Sequence, residues 1–223
     1  MRKKLAFMGM VKLFSGLILM GFLLFLPAGT FHYPGAWRML LVLFVPMFLL
    51  GFVLLIAKPA LLEKRLSQKE TEGEQKLVIL YSGLMFISVF LLCGFDERFS
   101  FSHVPHWLSV CACFLFLLTY AGFAELLREN EYLSRTVEVR EGQQVVSTGL
   151  YGVVRHPMYA IIFFMFLSMP LIIGSFVGMV PMVFLPYILV KRIINEEEVL
   201  VRELAGYEDY KKKVRFRLIP MIW

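Results

Sequence analysis

The sequence is short of charge. Asp, Glu, Lys and Arg make up only 18% of its 223 residues, while 59% of the chain is hydrophobic. Soluble domains carry about 25% charged residues. A water-soluble fold of this length has too little interior to hide so much apolar surface, so the bilayer is the expected solvent. Cysteine is also scarce. Cys93, Cys111 and Cys113 all lie in apolar runs and form no CxxC pair. That speaks against a disulfide framework or a zinc site and suits small buried apolar residues. There is no GxGxxG, no P-loop motif, no HExxH and no GxSxG, so none of the chemistries those motifs support is indicated. His32, His103 and His106 fall in short loops or at the ends of apolar runs, and no metal site is expected from them. The chain has no internal repeat and no long polar segment.

What the chain does have is long apolar runs. A spanning helix needs about 20 apolar residues, and four runs qualify: 5–26, 39–57, 77–95 and 107–127. Pro27 and Gly29 close the first, Lys58-Pro59 the second, and Asp96-Glu97-Arg98 the third. The first run is too long for the apolar core of a signal peptide and reads as a retained anchor. A fifth region, 158–190, is split by Gly174-Ser175 and interrupted by Pro170, Pro181 and Pro186. It is expected to form a helical hairpin whose ends emerge on one side, either spanning or re-entrant. The predicted fold is an all-α integral membrane protein of about six membrane helices, with an amphipathic C-terminal helix. The predicted division is a four-helix membrane region over 1–127 and a cofactor-binding catalytic region over 128–223.

The net charge of +6 is carried by the loops and suits an anionic membrane surface rather than nucleic acid. Lys and Arg number three at the N-terminal tip, five over 58–76, four over 128–155 and eight over 191–217, against one each in the alternate loops (Arg38 and Arg98). The positive-inside rule then places both termini in the cytoplasm, in an inner or plasma membrane. Lys12, inside the first run, is expected to snorkel to the same side. Glu125 reads as a boundary residue. Tyr33, Trp37, Trp107 and Tyr120 read as interfacial anchors, at least in part.

Two polar clusters fall on the basic side. In the first, Gln143, Gln144, Val145, Val146, Gly149-Leu150-Tyr151 and Arg155-His156-Pro157-Met158-Tyr159 lead into the hairpin. Pro157 suits the first turn of a helix. Arg155 and His156 would then stand at a helix N-terminus, a natural anion site, although a basic stop signal beside a span gives the same letters. The second cluster, Arg192 to Glu198, follows the hairpin. Arg192 and Glu196 share a helix face, and Glu196 and Glu197 lie where the helix leaves the bilayer. Glu198, Arg202 and Glu203 read as a solvated face. Tyr207 and Tyr210 share a face and are expected to pack the tail onto the core, with Lys211 to Lys213 turned to lipid phosphates.

Together these clusters resemble the isoprenylcysteine carboxyl methyltransferase family, particularly its small bacterial members. The resemblance rests on Gly149-Leu150-Tyr151, Arg155-His156-Pro157-x-Tyr159, Glu196-Glu197, Tyr207-x-x-Tyr210 and Leu218-Ile219-Pro220. It covers roughly the last 90 residues, the first four runs matching only in hydropathy. It implies S-adenosyl-L-methionine as methyl donor, held without a Rossmann domain. Gln143 to Val146, Tyr151 and His156 to Tyr159 would line the cofactor site. Glu196 would hold the cofactor, with Arg155 and Glu197 beside it. Arg192 would face a lipophilic, membrane-associated substrate and orient its carboxylate. The residue types suit this: a glutamate for an ammonium or hydroxyls, and tyrosine faces for an adenine or a sulfonium. Two alternatives stand beside it. One is an NADPH-dependent reductase of sterol-like or polyisoprenoid substrates, for which Arg140 alone could serve a 2′-phosphate. The other is a non-catalytic membrane scaffold.

Overall fold

The computed structural model describes residues 2–67, 73–130, 132, 133, 139 and 142–223. Lys69, Arg135 and Arg140, which enter the charge count or the cofactor argument above, lie outside them. The described residues form α1 (Arg2–Ala28), α2 (Pro34–Ala57), α3 (Pro59–Ser67), α4 (Gly73–Phe99), α5 (His106–Glu129), α6 (Pro157–Ile173), α7 (Leu185–Glu203) and α8 (Tyr207–Lys213). Two 3-10 stretches, Gly149–Gly152 and Val177–Phe184, precede α6 and α7. No strand occurs among the described residues.

The protein is an integral membrane protein with five candidate spans among the described residues: α1, α2, α4, α5 and the continuous stretch Val177–Glu203. At 1.5 Å per residue, the 27 residues of α1 reach about 40 Å, more than the hydrocarbon core requires. The 17 residues of α6 reach only about 25 Å. The hairpin is therefore unequal. Its second arm does not stop at residue 190 but runs unbroken to Glu203. Pro170 does not interrupt the first arm either. It sits in the last turn of α6 and is buried, and a proline disturbs only the turn before it.

Two further expectations are corrected at the end of the bundle that holds the α1–α2 and α4–α5 turns. Asp96-Glu97-Arg98 does not end the third span, because α4 continues to Phe99. Asp96 is 2% exposed. It accepts hydrogen bonds from the Ser102 amide at 2.7 Å and from the Ser175 hydroxyl at 2.5 Å. A carboxylate at a span end is tolerated when its lone pairs are filled in this way. Tyr33 is not an interfacial anchor. It is 2% exposed, and its hydroxyl donates to the Cys93 carbonyl at 2.9 Å. At this end Ser109 Oγ also donates to the Ile172 carbonyl at 3.0 Å.

The opposite end carries the basic loops. There α3, which the apolar pattern did not predict, folds back against α2 and α1. Lys58 Nζ donates to the carbonyl of Arg128 at 3.2 Å and Arg65 Nη1 to that of Leu133 at 3.3 Å. Lys12 does not simply snorkel; its ammonium donates to the Leu66 carbonyl of α3. Glu125 and Arg128 form an exposed i, i+3 pair.

The core runs through α1, α2, α4, α5, α6 and α7 and includes Leu24, Met39, Val89, Phe116, Ile172 and Ile193. Apolar residues such as Phe7, Leu118 and Val183 face outward, each at least 70% exposed. Since lipid tails are as apolar as leucine, close packing rather than expulsion from water must hold the spans together. Gly35 and Gly94 let this happen: a Cβ on either would run into backbone, the Ile173 carbonyl in one case and the Leu24 carbonyl in the other.

Candidate functional site

At the basic end, five segments enclose a cleft of about 790 Å³, counted out to its open mouth. The end of α5 brings Asn130. The loop before α6 brings Gln143, Gln144, Val145 and Val146, and the 3-10 turn brings Tyr151. The start of α6 adds Arg155, His156, Pro157, Met158 and Tyr159, and α7 adds Glu196 and Leu200. Leu204, Tyr207 and Tyr210 close the far wall.

Local sequence explains each wall. Pro157 occupies the first turn of α6, where a missing amide hydrogen costs nothing. Gly149 has φ +48°, and the Glu129 carboxylate lies where a Cβ would project. Glu129 Oε1 accepts from the Thr148 hydroxyl at 2.7 Å. The last turn of α5 thus clamps the loop that carries Gln143 to Val146.

Two polar chains cross at the α6–α7 contact. In the first, Arg192 Nε donates to the Tyr159 hydroxyl at 2.9 Å, and that hydroxyl donates to Glu196 Oε2 at 2.5 Å. Tyr159 therefore joins the cleft wall to Arg192, on the same face of α7. In the second, Glu197 points away from the cleft into a buried knot of charge. Its Oε1 receives Arg155 Nε at 2.6 Å and lies 3.3 Å from His156 Nε2; its Oε2 receives Arg217 Nε at 2.8 Å. Arg155 also donates from Nη1 to the carbonyls of Val214 and Arg215, each at 2.8 Å. The amides of Arg155 and His156 donate to the carbonyls of Phe216 and Arg217. The groups that a helix-terminus anion site would use at Arg155 are thus committed to Glu197 and the tail.

The tail also builds the outer wall. Tyr210 donates its hydroxyl to the Tyr151 carbonyl at 2.7 Å. Burial pushes the Tyr210 phenol up to about 12, so it remains a donor at physiological pH. Tyr207 is 4% exposed and lines the cleft, and its hydroxyl has no hydrogen-bond partner among the described residues. Burial, reinforced by the charges of Glu197 and Glu196, raises its pKa far above that of an ordinary phenol. A buried hydroxyl left unpaired is costly, so this phenol is available to a polar atom of whatever enters the cleft.

The site is thus built from the two clusters that the sequence singles out. It also uses Asn130, Leu200, Leu204 and the Glu129 clamp, which the sequence analysis did not name. Glu129 and Asn130 directly follow the fourth apolar run, and that adjacency was the available signal. Tyr207 was read only as packing.

Residues 109–202 match the model of the isoprenylcysteine carboxyl methyltransferase (ICMT) family. The chain carries an ICMT family domain. It is a methyltransferase domain, and the family's methyl donor is S-adenosyl-L-methionine. The reaction of that family is methylation of isoprenylated substrates. The ICMT match starts inside α5, so it includes the fourth span, which the motifs alone had matched only in hydropathy; it ends before Tyr207. No curated protein matches the chain.

The cleft suits S-adenosyl-L-methionine on its own chemistry. Glu196 presents an acceptor for an ammonium or hydroxyls, Tyr207 an unpaired phenol, and Val145, Val146, Met158 and Leu200 an apolar lining.

Proposed function

We propose that the protein methylates a lipophilic, membrane-borne acceptor at the membrane face that carries its basic loops, and that this face is cytoplasmic. The acceptor group that fits best is a carboxylate, as in isoprenylcysteine methylation. The division of labour in this reading is a membrane region through residue 127 and a cofactor-binding region from residue 128 onward. The observation that carries it is the Arg192–Tyr159–Glu196 chain, which links a side chain lining the cleft to a cation one helical turn away.

Cofactor contacts are assigned to Gln143, Gln144, Val145, Val146, Tyr151, His156, Pro157, Met158, Tyr159 and Glu196. Arg155 and Glu197 are positioning residues. Their ion pair ties the start of α6 to α7 and to the tail, which fixes His156 and Glu196 relative to each other. Arg192 orients the acceptor. S-adenosyl-L-methionine, when bound, supplies an activated methyl group. What remains for the protein is alignment, because holding two reactants in attack geometry lowers a barrier without proton transfer. A carboxylate acceptor needs no general base. An arginine already bonded to Tyr159 can align that carboxylate without neutralising it in a tight bidentate pair.

The test is transfer of labelled methyl from S-adenosyl-L-methionine to an S-prenylated cysteine derivative by purified protein in nanodiscs. Methyl ester formation that falls at least ~100-fold in Arg192→Met, with S-adenosylhomocysteine affinity kept, supports the reading. Binding of S-adenosylhomocysteine with no transfer to any prenylated carboxylate would remove the acceptor assignment and leave the methyltransferase standing.

A further inference from the structure

A second cavity lies away from the cleft, between α1, α2 and α3. It measures about 1020 Å³ out to its mouth, and its walls are almost wholly apolar. Phe48, Gly51 and Leu55 form one side, Gly9 and Leu13 the other, and Leu62 and Leu66 of α3 the roof. One charged residue stands in it, Lys12, whose partner among the described residues is the Leu66 carbonyl.

Three observations set this groove apart from an ordinary crevice between spans. First, it is held open. A Cβ on Gly51 would meet nothing within 4 Å, and one on Gly9 only the tip of Leu66 at 3.8 Å. The two facing walls are therefore left empty where they could have packed. Second, its roof is fixed from the other side. Lys58 and Arg65 bracket α3 and are bonded to backbone carbonyls at and beyond the end of α5, so the groove does not depend on an occupant to exist. Third, Lys12 stands exposed among these apolar walls with its ammonium against α3 at the basic end, and a lysine at a membrane surface attracts anionic lipid. One carbonyl satisfies a single N–H of three and leaves the charge uncompensated.

We infer that this groove binds one anionic phospholipid of the surrounding leaflet, with a hydrocarbon chain between Gly9 and Gly51 and the phosphate at Lys12. The inference is independent of which acceptor the cleft serves. A free phosphate would satisfy Lys12 but not the apolar walls. A zwitterionic lipid would fill the walls but bring its own cation to the ammonium.

Native mass spectrometry of the full chain, released from detergent with added lipid, tests this. Wild-type protein should retain one phosphatidylglycerol about five-fold more readily than phosphatidylcholine, the preference one lysine near an anionic headgroup supplies. Lys12→Gln keeps a donor for the Leu66 carbonyl and should abolish the preference. Gly51→Leu fills the groove and should lose the retained lipid of either kind; Gly9→Leu fills it from the opposite wall and serves if Gly51→Leu does not fold by circular dichroism. Millimolar inorganic phosphate should not displace the lipid. Equal retention of the two lipids by wild type, a preference that survives Lys12→Gln, retention unchanged in a folded groove-filling variant, or displacement by phosphate would each overturn the inference.

Discussion

Glu197 and Tyr207 show how differently two buried polar side chains can be employed. Glu197 is bonded to Arg155 and Arg217 and lies within 3.3 Å of His156, and removing its charge would strand the buried Arg155 cation. Glu197→Leu should therefore lower unfolding stability by about 3–5 kcal/mol, read as a fall in the thermal midpoint in detergent whether or not ligand is present. Tyr207 is the opposite case. Its hydroxyl serves no partner among the described residues, so Tyr207→Phe should leave the midpoint unchanged or slightly raised. S-adenosylhomocysteine affinity should fall about five-fold, the loss of one hydrogen bond worth roughly 1 kcal/mol. The same affinity in both proteins would mean the phenol faces no ligand atom. The twin glutamates were legible in the sequence as a pair near the site. Their opposite orientations were not, because neighbouring helical residues differ by about 100° around the axis and only the position of α6 decides which one meets the cleft.

At the level of the element, the apolar runs predicted every span, and their charged flanks predicted which ends would gather. What the pattern hid was α3, a short helix whose composition reads as loop, the continuation of α4 past its charged residues, and the unbroken join between the hairpin's second arm and the charged helix after it. Asp96 looked like a stop because the sequence does not reveal that Ser102 and Ser175 lie within hydrogen-bonding distance. Helix contacts give a sharp expectation. Gly35→Ala places a methyl against the Ile173 carbonyl and should destabilise by about 1–3 kcal/mol through overpacking. Gly51→Ala meets open space and should be neutral or stabilising, since alanine favours a helix by about 1 kcal/mol over glycine. Thermal unfolding of the two variants side by side checks this; equal destabilisation would mean that the α2–α6 contact is looser than described.

For the whole molecule, function depends on both polar clusters lying at one end of a bundle whose other end is tied by Tyr33, Asp96, Ser109 and Ser175. Under the proposed topology, the count of twenty basic residues against two predicts that the cleft faces the cytoplasm. Single cysteines placed on a Cys-free background at Lys4 and Lys212 should react with a membrane-impermeant maleimide only in inside-out vesicles, and one at His103 only in right-side-out vesicles. Labelling of Lys4 and His103 positions from the same side would contradict the topology. The cofactor assignment has a more direct test, because the cleft and its residues are specific enough to fail. Calorimetric titration of S-adenosylhomocysteine into the wild-type protein in lipid nanodiscs should show one site per chain, with binding lost in His156→Ala and in Glu196→Ala while both variants keep the wild-type circular dichroism. No heat of binding to the folded wild-type protein, or full affinity in both variants, would contradict the account.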